Sequence, residues 1–169
     1  MSTAELLLQD YDVEISNTLR TLERVPDKTD WAPHDKSMKL GKLAMHCATL
    51  PLFAYYILED DGMDMANSKR AHTSLVFESR EHCIQQLDES AAKCRSALAA
   101  ASDEHLAKPW PFSFGEHMIS NLPRSATYRI MFFNHLVHHT AQLGVYLRLN
   151  DIPVPALYGP SADEQWGPK

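Results

Sequence analysis

Four stretches of this sequence repeat their apolar residues every three to four positions, and polar or proline-bearing segments separate them. Only 6 glycines occur and strand-like alternation is weak, so the pattern predicts an all-α chain. The first helix is expected from about Thr3 to Val25, with Leu8, Tyr11, Ile15, Leu19 and Leu22 on one stripe. Pro26 stops it. The second follows Asp35-Lys36-Ser37, with Ser37 read as its N-cap. Leu40, Leu43, Cys47, Leu50 and Ala54 then lead towards Leu58. Pro51 lies inside this stretch and predicts a kink or a break. The third helix is expected from about Glu78 to Ala101, with Ile84, Leu87, Ala91, Cys94 and Leu98 inward. The fourth runs from about Arg124 to Asn150, its stripe set by Tyr128, Met131, Phe132, His135, His139, Gln142, Tyr146 and Leu149.

The connections carry information of their own. Asp60 to Phe77 is long enough, at about 3.3 Å per extended residue, to run the length of a 20-residue helix. Simple up-down order is therefore not forced. Ser102 to Pro123 contains Lys108-Pro109-Trp110-Pro111-Phe112, then Gly115. Two prolines around a tryptophan exclude a helix, so an ordered aromatic flap or short hairpin is expected. Asp151 to Lys169 holds four prolines and two glycines and is expected to be an extended tail.

Length and charge narrow the function classes. A chain of 169 residues fits one domain with a real core. A formal net charge of -6, with its 16 Lys and Arg scattered, argues against nucleic acid as a partner. No apolar run approaches the roughly 20 residues that span a bilayer, so no membrane role is expected. The first residues, with Glu5, Gln9 and Asp10, lack the layout of a signal peptide. Cys47, Cys83 and Cys94 match no zinc or redox spacing, and reduced thiols in a cytoplasmic protein are expected.

The stretch richest in chemistry is Asn134-His135-Leu136-Val137-His138-His139-Thr140-Ala141-Gln142-Leu143. His135 and His139 are four residues apart, one turn along the same helix face. His46 falls on the apolar stripe of the second helix, between Leu43 and Leu50. A buried imidazole needs a hydrogen bond or a metal. One reading is a set of core histidines satisfied by neighbours. The other is three neutral imidazoles on one divalent ion, with a position left for water or substrate. Imidazole does not choose among zinc, nickel, copper and iron. Gln142, three residues past His139, is a candidate support for that ring or a substrate contact. His138 points about 100° away and is read as structural or supporting, not as a ligand.

Several local signatures together resemble the DinB-like family. They are Trp31-Ala32-Pro33-His34-Asp35-Lys36-Ser37-Met38 with Leu40-Gly41-Lys42-Leu43-Ala44-Met45-His46, then Pro123-Arg124 leading into His135-Leu136-Val137-His138-His139 and Gln142-Leu143. Tyr146-Leu147-Arg148 and Ile152-Pro153-Val154-Pro155 with Tyr158-Gly159-Pro160-Ser161 complete them. The resemblance implies a four-helix bundle with a crossover between its second and third helices. It implies a metal triad of His46, His135 and His139. The family often has Arg where this chain has Thr140, which removes a cation that could meet an anion. The wider superfamily includes transferases that use low-molecular-weight thiols and an isomerase that depends on one, and dimers are common in it.

The remaining residues are read two ways. Trp110, Phe112 and Phe114 either line a pocket over the metal or plug the bundle. Asn134 is a cap or a supporting amide. Arg124 anchors a helix start or binds an anionic substrate, and Arg148 makes a surface or dimer salt bridge. Tyr11 packs in the core, and the three cysteines are small core residues. Glu116 and His117 are expected in solvent, as is the acidic cluster Glu59-Asp60-Asp61-Asp64. The leading expectation is a metal-dependent transferase or hydrolase that activates a thiol or water against a small electrophile. Zinc and nickel are the foremost metals, with iron and manganese behind them. The alternative is a stress-related bundle that binds metal or ligand without catalysis. A homodimer is expected in either case.

Overall fold

Ser2 opens the first helix with a capping box: its hydroxyl accepts from the Glu5 amide, and the Glu5 carboxylate accepts from the Ser2 amide at 2.7 Å. In the computed structural model, which describes residues 1–68, 70 and 74–165, this helix is α1 (Thr3–Leu22). Next come α2 (Leu40–Glu59), β1 (Met63–Asp64), α3 (Arg80–Ala100) and α4 (Asp103–Ala107). The chain continues through β2 (Pro109–Phe114), β3 (His117–Pro123) and α5 (Arg124–Thr127). A π-helical stretch (Tyr128–Phe133) then leads directly into α6 (Asn134–Leu149). The chain is mostly helical with one small sheet. The short helix α4, capped by the Ser102 hydroxyl, and the strand β1 have no counterpart in the sequence pattern.

Two details of α2 differ from expectation. Lys39, not Ser37, holds the N-cap position, and its side chain makes no capping bond. The preceding loop does that work with backbone: the Leu40 amide donates to the Trp31 carbonyl at 2.8 Å, and the Gly41 amide to that of Thr29 at 3.1 Å. Gly41 is required by this close approach, because a Cβ there would stand 2.6 Å from the Thr29 hydroxyl. Nor does Pro51 break the helix, which runs unbroken through it to Glu59. One turn earlier the Ser90 hydroxyl, from α3, donates to the Ala48 carbonyl at 2.7 Å and ties the two helices at the weakened point.

The fourth rod also departs from a single regular helix. The Asn134 amide reaches back five residues to the Arg129 carbonyl, marking a wide turn. That turn shifts the phase of everything after it. Downstream the buried residues are Leu136, His139, Thr140, Leu143 and Leu147, whereas Gln142 and Leu149 are exposed. An unbroken helical period through Met131, His135 and Leu149 therefore misplaces the core face of α6. His135 and Tyr146 end up half-buried at the margin of that face.

The long helices share one core, in which Tyr11, Leu43, Leu87, Leu98, Phe132, Leu136 and Leu143 meet. α3 packs on α1 and α2, and α6 packs on the same two helices. The aromatic segment is a hairpin: β2 pairs antiparallel with β3 (Trp110 opposite Leu122), with a bulge at Phe112/Ser113. β1 adds parallel to β2. Period-two alternation turns Trp110 and Phe112 inward against Phe53 of α2. Gly115 turns the hairpin with φ +57°, and its amide donates to the Asp64 carboxylate.

Asp64 also accepts from the Ala66 amide and the Asn67 side chain, so this acidic residue organises a turn instead of merely facing solvent. The tail has no helix or strand over 151–165, but it is not simply extended: it bends back so that Val154 and Ala156 meet Asp163 and Glu164, and residues 166–169 of the expected tail lie outside the described residues. Glu164 takes Arg20 and Arg24, Asp163 takes Arg148, and the Tyr158 hydroxyl donates to Glu14 at 2.5 Å. Arg148 is thus used within the chain.

Candidate metal centre

α2 presents His46, and α6 presents His135 and His139 one turn apart. The three rings meet. Ring centroids lie 5.1 Å apart for His46 and His135, and 4.6 Å apart for both His46–His139 and His135–His139. One nitrogen from each ring lies within 4.8 Å of the other two. His46 Nε2 stands 3.3 Å from His135 Nε2.

The outer nitrogens decide what the inner ones can do. His135 Nδ1 donates to the Met131 carbonyl at 3.2 Å, in the wide turn where the regular backbone ladder is disturbed. His139 Nδ1 donates to the Gln142 side-chain oxygen at 2.7 Å. With their protons held there, both neutral rings turn a bare lone pair inward at Nε2. Three inward nitrogens therefore share at most one proton, that of His46. Burial lowers the basicity of all three rings. His46 is pushed down to about 4 by burial first and then by His139, His135 and Lys42. His135 and His139 are lowered mainly by burial, partly offset by the Met131 and Gln142 hydrogen bonds. Neutral imidazoles rich in unshared lone pairs and short of protons suit a divalent cation.

A cavity of about 320 Å³ adjoins the cluster, and His46 and His135 form part of its wall. Leu50 and Phe53 of α2, Phe112 of β2 and Met131 of the wide turn supply most of the rest. Met65, Arg70 and Leu75 close the side towards the α2–α3 connection. The polar side chains besides the histidines are Thr49, Tyr56 and Arg70.

Comparison with known proteins gives the family and the fold. A model of the DinB superfamily matches residues 10–143. The chain belongs to the DinB superfamily. A crystal structure of a DinB-like protein from Bacillus cereus ATCC 10987 superposes with a TM-score of 0.66 at 21% identity, covering 89% of this chain and 95% of that one. At that identity the likeness concerns the fold. No curated protein matches the sequence.

Within this DinB-superfamily chain the other expected site residues scatter. Trp110 is fully buried behind the cavity wall and does not line it. Its indole donates to the Asp60 carbonyl at 3.0 Å, so it closes the end of α2. Phe112 does reach the cavity, while Phe114 is 62% exposed. His138 is exposed, with its ring 4.9 Å from that of His139. Asn134 is exposed too, and its side chain makes no capping bond at the start of α6. Arg124 is buried under the α2 carbonyls of Ile57 and Asp60, at 2.6 and 2.5 Å, and so serves the fold. Thr140, at the position where the family often has Arg, shares a buried hydrogen bond with Thr18 of α1 at 3.1 Å.

The cysteines are buried and free, with burial pushing Cys47, Cys83 and Cys94 up to about 12. No thiolate of the chain is therefore available among the described residues. Sequence reasoning missed Phe53, Met65 and Leu75 as cavity walls. Nothing in an apolar side chain distinguishes a wall from a core until the fold is known.

Proposed function

We propose that this protein holds one divalent ion on His46, His135 and His139 and uses it to activate a thiol or water for attack on a small electrophile. The four long rods are read here as the family's four-helix bundle, with the α2–α3 connection as its crossover. The observation that carries the proposal is the proton count of the cluster: three inward nitrogens and at most one hydrogen, on two rigid helices beside a cavity. A metal of this kind lowers the pKa of a bound thiol or water and polarises an acceptor.

The chain's own residues supply the setting. Met131 and Gln142 hold the ring protons on the far side, so His135 and His139 keep their ligand tautomers. Phe112, Leu50 and Phe53 exclude water from one side of the cluster. This reading takes the nucleophile from outside, because among the described residues the cysteines are buried and protonated and the Thr49 hydroxyl is committed to the Met45 carbonyl at 2.9 Å. That same lack of a base or nucleophile beside the cluster favours the second reading, a binding protein without turnover. The proposal includes a small-molecule substrate and a homodimer, whose mass light scattering would give.

The deciding experiment starts with elemental analysis of protein purified without a histidine tag. An ion at 100 times its dissociation constant should stabilise the fold by about 2.7 kcal/mol. His135→Ala should abolish both the metal content and the stabilisation. Thiol-acceptor and ester substrates then separate catalysis from binding. A metal-loaded protein inert towards all of them leaves the binding reading in place.

A further inference from the structure

The cavity beside the histidines has a composition that narrows its occupant. Five of its walls are Leu50, Phe53, Met65, Leu75 and Phe112, drawn from α2, β2 and the α2–α3 connection. The charged side chain on the wall, Arg70, is already matched. Its guanidinium pairs with the Asp60 carboxylate and lies 4.7 Å from the centre of the Tyr56 ring. A ligand carboxylate or phosphate would have to displace Asp60 and would find no second cation among the described wall residues. A volume of about 320 Å³ sits at the small end of ligand sites, which run from about 300 to 1,000 Å³. Among the described wall residues, the ring nitrogens are those of His46 and His135.

We propose that the cavity binds a small, uncharged, largely apolar molecule with a single donor atom directed at the histidine end. The proposal rests on the metal reading for that donor atom and is independent of it for the apolar body. The molecule seated here is therefore an apolar substrate or an apolar thiol.

Three measurements separate the parts. Toluene, which cannot ligate a metal, is titrated into the metal-free protein, and the methyl resonances of Leu50, Met65 and Leu75 are followed. Saturable shifts at these methyls are expected. Leu75→Glu and Met65→Glu each place a charge on a half-buried wall position and should weaken toluene binding at least tenfold while leaving metal content unchanged. Cobalt(II) is then loaded, and its visible bands report the metal site alone. If no band forms, the metal reading fails and the toluene result still stands. With the band present, a series of n-alkanethiols should bind with affinity rising about fourfold per methylene. The absence of toluene shifts overturns the proposal, as does toluene binding untouched by both glutamate variants. So does a cobalt signal whose response ignores alkyl length.

Discussion

Two turns into α2 and at its C-terminal end, one helix treats its polar groups in opposite ways. At the end, the carbonyls of Ile57, Leu58 and Asp60 meet donors from three other elements. His105 of α4 reaches Leu58 at 2.7 Å, Trp110 of β2 reaches Asp60, and Arg124 of α5 reaches Ile57 and Asp60. Positive charge and N–H groups face the negative end of the helix, and acceptors are matched by donors. Nearer its start, His46 meets His135 and His139, and lone pairs face lone pairs with at most one proton among them. The first arrangement is complete as the chain stands. The second becomes complete only when something electron-poor enters. A donor count therefore separates polar groups that fold a chain from those that serve a ligand, even when both are partly buried.

The largest effect should come from breaking the complete arrangement. Arg124→Met leaves the Ile57 carbonyl buried without a donor and the Asp60 carbonyl with the Trp110 indole alone, and should lower stability by about 3 kcal/mol. Calorimetric melting reads this directly, and metal bound per folded molecule should not change. A loss below about 1 kcal/mol would mean that His105 and Trp110 hold the helix end unaided.

Breaking the incomplete arrangement should look different. His46→Leu removes an imidazole that, without metal, has only His135 as a partner. Metal-free stability should move by no more than about 1 kcal/mol, because an apolar replacement leaves no orphaned carbonyl. The roughly 2.7 kcal/mol gained from saturating metal should vanish. A large loss of metal-free stability would make the cluster a piece of core and not a site. A subtler change sharpens the same point. Gln142→Leu keeps every ligand but frees the His139 ring proton, and metal affinity should fall about 10- to 100-fold while metal-free melting stays put.

Much of this was legible in the sequence because it depends on period. The long helices, the i, i+4 histidine pair and the place of His46 on an apolar stripe all follow from 3.6 residues per turn. The hairpin around Trp110 follows from its prolines. What escaped depends on contacts between distant segments. The wide turn at Tyr128–Phe133 carries no Gly or Pro to announce it, yet it moves the buried face of α6 onto Leu136, Leu143 and Leu147. The start of α2 borrows backbone carbonyls of Thr29 and Trp31, which no capping rule at Ser37 could show. Arg124 and Trp110 stay open between site and scaffold in the sequence, because an Arg at a helix start and an aromatic flap suit either role. Only the carbonyls of Ile57 and Asp60 reveal them as caps.

The tail supplies a third arrangement, complete like the end of α2 but exposed, and it should give the smallest effect. The Asp163 carboxyl is held below its ordinary range by Arg148 and then by the Val154 amide. That of Glu164 is held down by the Ala156 amide first, with Arg24 and Arg20 adding to it. In both, the folded-state pKa lies below the unfolded one. The docking they provide is therefore full above the ordinary carboxylate range near pH ~4 and fades as pH falls through the lower folded value. Because solvent screens these pairs, global melting should hardly register their loss. The amides of Val154 and Ala156, which donate to Asp163 at 2.8 Å and to Glu164 at 3.0 Å, should register it. Their hydrogen-exchange protection, corrected for intrinsic rate, should drop between pH 6 and pH 3, and Glu164→Gln should mimic acid at Ala156 while sparing Val154. Protection that persists through both treatments would place the hold on the tail in Ala156 and its apolar neighbours, and would make charge incidental there.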